Sequence, residues 1–182
     1  MQIRSFVLWS LAALLLPPAA VAAVVASGAG GFVVREVVVF AGAPDAAWQR
    51  LVNPALWWSG AHTYSGSADN LSLALEPGGC WCERLPAGGF VRHMAVVYAV
   101  PGSTLRLTGG LGPLQGMGAS GALTFTLKPD APGTTRVVAQ YAVTGFAADG
   151  FSDIAAQVDV VLAEQLRRFA PPPEAANPPR AR

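Results

Sequence analysis

Along the chain, the spacing of apolar positions switches from strand to helix, returns to strands, and ends on a helix. Phe32 to Ala41 (FVVREVVVFA) is valine-rich and predicts a strand. Gly42-Ala43-Pro44 turns the chain, and Pro44 suits the first position of a helix, where its missing N–H costs nothing. Trp48, Leu51 and Val52 then recur at helical spacing and predict a short amphipathic helix. Asn53-Pro54 opens a second short helix with Asn53 as its N-cap, carrying Leu56, Trp57 and Trp58, and His62 to Asp69 reads as a loop. From Leu71 onward the pattern is that of strands, at 71–75, 80–85, 90–100, 103–109, 123–127 and 134–145, separated by Pro- and Gly-bearing turns. A glycine-rich loop, GGLGPLQGMGASG, occupies 109–121. Ile154, Val158, Val161, Leu162, Leu166 and Phe169 then form one apolar stripe at helical spacing, with Arg167 and Arg168 suited to the negative end of that helix.

The predicted order is one strand, two short helices, six strands and one long helix. Consecutive antiparallel strands with segregated helices mean an α+β fold of about seven strands. The long helix must lay its stripe on one sheet face. A sheet that curls around a single helix leaves room between the two, with the short helices and loops as a lid, which is a ligand-pocket architecture.

This order and several local strings resemble the START-like (SRPBCC) superfamily, in its polyketide-cyclase-like and heat-shock-ATPase-activator-like branch. The strings are AGAPDAAWQRLVNPALWW, EPGGCWCERLPAGGFVRHMAVVYAVPGSTLRL, GGLGPLQGMGASGALTFTL, TTRVVAQYAVTGF and VDVVLAEQLRRF, and they span most of residues 32–169. The resemblance implies the helix-grip fold, a curved antiparallel sheet around a long C-terminal helix with a hydrophobic cavity between them. It implies no single activity, because the superfamily includes carriers, cyclases and chaperone co-activators.

The ends read differently. MQIRSFVLWSLAALLLPPAAVAAVVASG carries a positive Arg4, an apolar run from Phe6, a proline pair and two small-x-small steps, Ala20-Val21-Ala22 and Val24-Val25-Ala26. This is the layout of a secretory signal peptide over residues 1–26, with an uncleaved membrane anchor as the rival. Both place a domain of residues 31–170 outside the cytoplasm, in the periplasm or cell envelope. Residues 171–182, rich in proline, predict a disordered tail.

Charge narrows the partner. The chain has 182 residues, of which 52% are hydrophobic and 13% charged, and twelve basic against eleven acidic residues give +1. Bulk electrostatics of that size exclude a nucleic-acid partner. The expected partner is a small hydrophobic molecule, with a membrane tether through the N-terminal segment if it is uncleaved. No cofactor is implied. The glycine-rich loop lacks a P-loop lysine and a dinucleotide-binding context.

Trp57, Trp58, Tyr64, Leu114, Met117, Tyr141, Phe146 and Ile154 are the residues expected to line the opening. A symmetric hairpin over Pro86–Gly89 pairs Leu85 with Phe90, Glu83 with Arg92 and Cys82 with His93, which puts Cys80, Cys82 and His93 on one face. Glu83 and Arg92 would then form a cross-strand ion pair. Cys80 and Cys82 have three open readings: buried thiols, a Cys-x-Cys disulfide, or metal ligands together with His93. If the pocket is catalytic, as in a cyclase- or hydro-lyase-type enzyme, His62, Glu83 and His93 are the candidates for proton transfer, and an envelope protein-interaction domain is the third reading. Asp149, Asp153 and Asp159 read as helix-start and solvated-face charges.

Overall fold

A computed structural model describes residues 23–170. Residues 1–22 of the expected leader and the tail from 171 to 182 lie outside the described residues. Eight strands form one antiparallel sheet: β1 (Ala23–Gly28), β2 (Gly31–Ala41), β3 (Leu71–Leu73), β4 (Cys80–Arg84), β5 (Phe90–Val100), β6 (Thr104–Gly109), β7 (Ser120–Pro129) and β8 (Thr134–Thr144). Their order is β1-β2-β8-β7-β6-β5-β4-β3, so β2 lies beside β8 and the other strands follow as a meander. Three α-helices accompany the sheet among the described residues: α1 (Pro44–Leu51), α2 (Pro113–Gly116) and α3 (Ser152–Phe169). This is the α+β helix-grip arrangement, with α3 lying across the sheet.

The pattern of β2 shows how the sheet takes its inner face. Phe32, Val34, Glu36 and Val38 are buried while the intervening residues are less so, the alternation of a strand covered on one side. The same alternation in β7 and β8 buries Leu123, Phe125, Leu127, Val137, Ala139, Tyr141 and Val143. Leu162, Leu166 and Phe169 of α3 close over them. Trp57, Phe125, Phe40 and Phe169 meet at this end, with ring centroids 5.5–6.2 Å apart. Arg50 of α1 finishes the junction. Its guanidinium donates to the carbonyls of Phe169 (2.8 Å) and Arg168 (3.0 Å), end acceptors that have no partner within α3, and to that of Leu56 (3.1 Å).

Several expectations are corrected. The sheet has eight strands, because Ala23–Gly28 pairs with Gly31–Arg35 as an edge hairpin. The fold therefore starts ahead of Gly31, and a cut after Ala26 would fall within β1, whereas a cut after Ala22 would leave it whole. Small apolar residues serve a leader and an edge strand equally well, so composition alone could not divide them. The second short helix is a single 3-10 turn, Pro54–Leu56, and the Asn53 side chain does not cap it. The glycine-rich loop contains α2, and the strand at 71–75 stops at Leu73.

Glu36 stands in the inward row of β2, fully buried, with neither carboxyl oxygen hydrogen-bonded among the described residues. Asp159 of α3, read from the sequence as a solvated charge, is half-buried instead and adjoins it. Burial, and then the Asp159 carboxyl, push the Glu36 pKa up to about 8, against a weaker pull from Arg167. A carboxyl whose pKa rises on folding holds its proton more tightly in the folded chain. Its stabilisation is whole below about pH 4.5 and is lost as pH rises through about 8. Urea unfolding between about pH 5 and about pH 9 should thus show stability falling by a few kcal/mol. Glu36→Gln should flatten that decline, and an equal decline in both proteins would remove Glu36 as its source.

Candidate functional site

The apolar stripe of α3 divides along its length. Its C-terminal half, Leu162, Leu166 and Phe169, is buried in the core, whereas Ile154, Val158 and Val161 are only half-buried. The sheet curves away beneath that first half, and a cavity of about 590 Å³ remains. Leu71, Trp81, His93 and Tyr141 form its sheet side. Trp58, His62 and Tyr64 come from the segment after α1, and Leu111, Gly112 and Met117 from the glycine-rich loop. The lining is mainly apolar, as expected for a site that takes ligand surface out of water.

Hydrogen bonds hold this segment over the mouth. The Ser59 N–H donates to Gln165 Oε1 at 2.7 Å, and the Trp58 indole donates to the His62 carbonyl at 3.0 Å. His62 Nε2 lies 3.0 Å from Glu164 Oε2 at the rim. The hydrogen bond from His62 holds the Glu164 carboxyl below its ordinary pKa. Tyr64 Oη donates to the Gly112 carbonyl at 3.0 Å and so links this lid to the opposite rim.

The rim itself is fixed from below. Tyr141 Oη donates to the Gly109 carbonyl at 2.9 Å and accepts from the Leu111 N–H at 3.2 Å. Burial, against a weaker opposing hydrogen bond from Leu111, pushes its phenol up to about 12, so it stays protonated. Gly109 has φ +152°, and a Cβ there would lie 2.5 Å from the His93 carbonyl oxygen, so only glycine lets the loop leave β6 at this point.

The polar feature of the cavity is a Glu83–His93 pair. Glu83 is buried on β4, with Oε2 2.9 Å from His93 Nε2. It also accepts from the Tyr64 N–H at 3.1 Å and from the Ser65 N–H. Burial raises the Glu83 pKa, but the hydrogen bonds from Ser65, Tyr64 and His93 outweigh it, and the carboxyl lies below its ordinary value. An ionised carboxylate can only accept, so His93 Nε2 carries the proton that points at Glu83.

This arrangement depends on a bulge that the expected hairpin lacked. The observed pairs are Arg84–Phe90, Glu83–Val91 and Cys82–Arg92, followed by a register shift to Trp81–Met94 and Cys80–Ala95. His93 is the extra residue, and the bulge turns it to the inner face beside Glu83. The expected Glu83–Arg92 ion pair is therefore replaced. Arg92 is exposed, and its carbonyl accepts from Gln115 Nε2 at 2.7 Å. Cys80 and Cys82 are parted from His93 and form a disulfide with each other, their Cα atoms 5.3 Å apart. The metal reading of Cys80, Cys82 and His93 is thereby overturned. No cluster of three metal-ligating side chains occurs among the described residues.

Of the eight residues expected at the opening, Trp58, Tyr64, Met117, Tyr141 and Ile154 line the cavity. The other three do not. Trp57 is sealed in the core, its indole donating to the Leu51 carbonyl at 3.3 Å. Leu114, on α2, is buried, and Phe146 is 82% exposed on the loop before α3. Trp81, Leu71, Val158 and Val161 were missed as lining. The two valines already stood in the helical stripe, and Trp81 shares strand parity with Glu83, so both signals were present.

No family model and no curated protein matches the chain. Solved structures match in fold. CalU16 from Micromonospora echinospora is 12% identical, with a TM-score of 0.53 over 84% of this chain and 82% of its own. The Aha1 dimer from Colwellia psychrerythraea is 19% identical, with a TM-score of 0.52 over 74% of this chain and 90% of its own. DynU16, from the dynemicin biosynthetic locus, is 18% identical, with a TM-score of 0.53 over 76% of this chain but 45% of its own. All three have the SRPBCC-like fold, and the likeness is one of fold.

Because folding lowers the Glu83 pKa, its stabilisation is present above the unfolded value of 4.5 and is lost as pH falls through the lower folded one. Glu83→Ala leaves two backbone N–H groups and His93 without their acceptor. It should cost about 3–5 kcal/mol at neutral pH by urea unfolding. That gap should narrow in acid, and a gap independent of pH would show that the carboxylate charge is not what holds the lid.

Proposed function

We propose that this domain binds one small amphipathic molecule in the cavity under α3, apolar body inward and a polar group toward Trp81 and His93. The observation that carries this is the cavity itself: about 590 Å³, walled mainly by apolar side chains such as Trp58, Trp81, Ile154, Val158 and Leu162, with His93 and Tyr141 among the few polar groups. Cavities of this size take drug-sized molecules. Burying about 200 Å² of apolar ligand surface would contribute about 5 kcal/mol. Trp81 adds a specific demand. Its buried Nε1–H has no partner among the described residues, and such donors are rarely left unpaired, so a ligand acceptor would satisfy it.

The reading includes export. A leader-like segment before Ala23 and the Cys80–Cys82 disulfide both support a location outside the reducing cytoplasm.

A second reading, proton transfer on the bound molecule, is favoured by one observation. Glu83 engages Nε2 and so holds the His93 imidazole in a fixed orientation at the cavity wall. That is the geometry of an oriented general base. His62, paired with Glu164 at the rim, latches the lid in this reading rather than acting on the ligand.

Native mass spectrometry of the chain purified from its host should show a co-purifying small molecule. Trp58→Ala should lower its occupancy by about tenfold, and Trp57→Ala should act through stability instead. His93→Gln separates the readings: retained ligand of unchanged mass supports binding alone, and accumulation of a different molecule supports turnover. An empty cavity in protein from every growth condition tested, with no uptake of added fatty acids or aromatic polyketides, would overturn both.

A further inference from the structure

The sheet has a second face, turned away from α3, and it is not neutral. Arg35 (β2), Arg106 (β6), Lys128 (β7) and Arg136 (β8) are all exposed and border one groove on it. The register explains why they cluster. Arg35 pairs with Gln140, Gln140 with Thr124, and Thr124 with Arg106, so one row crosses four strands with a cation at each end. Lys128 pairs with Arg136 in a parallel row two steps along each strand beyond Thr126 and Val138. Arg35 and Arg106 thus stand about 14 Å apart, three strand spacings. The groove floor is Thr124, Thr126, Val138 and Gln140, and Asp130, 3.3 Å from Arg136, is the acid at its border. A chain of net charge +1 has therefore gathered four of its twelve cations on one face.

Three observations identify the occupant. The cations are spread over several strands, a spacing that suits an array of anions better than a single one. Exposed apolar side chains stand among them: Val39 and Val100, 42% and 40% exposed, and Tyr98, whose ring lies 5.5 Å from the Arg106 guanidinium. Tyrosine and valine beside arginine fit the boundary between headgroups and acyl chains. Finally, the described chain begins at Ala23, which pairs directly with Arg35, so the apolar segment of residues 1–22 joins the sheet at the edge of this face.

We propose that the outer face of the sheet docks on an anionic phospholipid surface, which leaves α3 and the cavity mouth on the far side. The surface supplies the headgroup phosphates, and the four cations supply the attraction. Each cation near such a surface is worth about a fivefold change in affinity.

The test is cosedimentation of the full chain with phosphatidylcholine vesicles, with and without phosphatidylglycerol. Stronger binding to the anionic vesicles, abolished by raising salt from about 0.1 M to about 1 M, is expected. Because residues 1–22 are present in every sample, only the increment due to phosphatidylglycerol is read. Arg35→Gln should reduce that increment about fivefold, and R35Q/R106Q/K128Q/R136Q should abolish it. Arg167→Gln, an equal charge change on α3, should leave it unaltered. Near-UV circular dichroism checks that each variant is folded, and the single substitutions carry the test if the fourfold variant is not. The proposal fails if Arg167→Gln weakens binding as much as Arg35→Gln, or if phosphatidylglycerol adds nothing. It also fails if a soluble polyanion such as dextran sulfate binds these four residues while vesicles do not.

Discussion

One helix has to cover a sheet that bends away from it, and the rest of the structure follows from where that cover is tight. At the C-terminal end of α3, Phe169 and Leu166 meet Trp57, Phe40 and Phe125, and Arg50 takes up the last carbonyls. Apolar contact and helix-end hydrogen bonds coincide there, so the helix is anchored at that end. Toward its start, Ile154, Val158 and Val161 present the same kind of side chain to a surface that has receded. Close packing is the usual fate of such residues. Here the sheet cannot follow them, and the cavity is the space that the mismatch leaves.

Two buried glutamates show how differently one side chain can be accommodated. Glu83 is surrounded by donors from Tyr64, Ser65 and His93, which compensate its charge and tie the lid to β4. Glu36 has Asp159 for a neighbour and no hydrogen bond among the described residues, so its charge is driven off instead. The first keeps an ionised group beside the cavity. The second keeps a protonated one under the helix.

The strand and helix pattern was legible because alternation and helical spacing are local. β5 at Phe90–Val100 and the stripe of α3 follow directly from it. What escaped was whatever depends on a neighbour. The bulge at His93 is invisible in periodicity, yet it decides that His93 joins Glu83 and not the cysteines. Trp57 and Trp58 are adjacent and chemically alike, but opposite directions from a 3-10 turn send one into the core and the other to the cavity. β1 resembled a leader because an edge strand of small residues carries no pattern of its own.

The period of two also binds the two faces of the sheet together. Arg35 lies between Val34 and Glu36, Arg106 between Leu105 and Leu107, Lys128 follows Leu127, and Arg136 precedes Val137. Each cation of the outer face is therefore the direct neighbour of a core residue of the inner one. A shift of one residue in β6, β7 or β8 would bury a charge and expose a hydrophobe at the same step, and burying an unpaired charge is far costlier than the exposure. The charged face is thus more than ornament to solubility: it pins the strand register on which the inner surface depends. The apolar interior and the cationic exterior are two readings of the same alternation, and neither could be changed in register without the other.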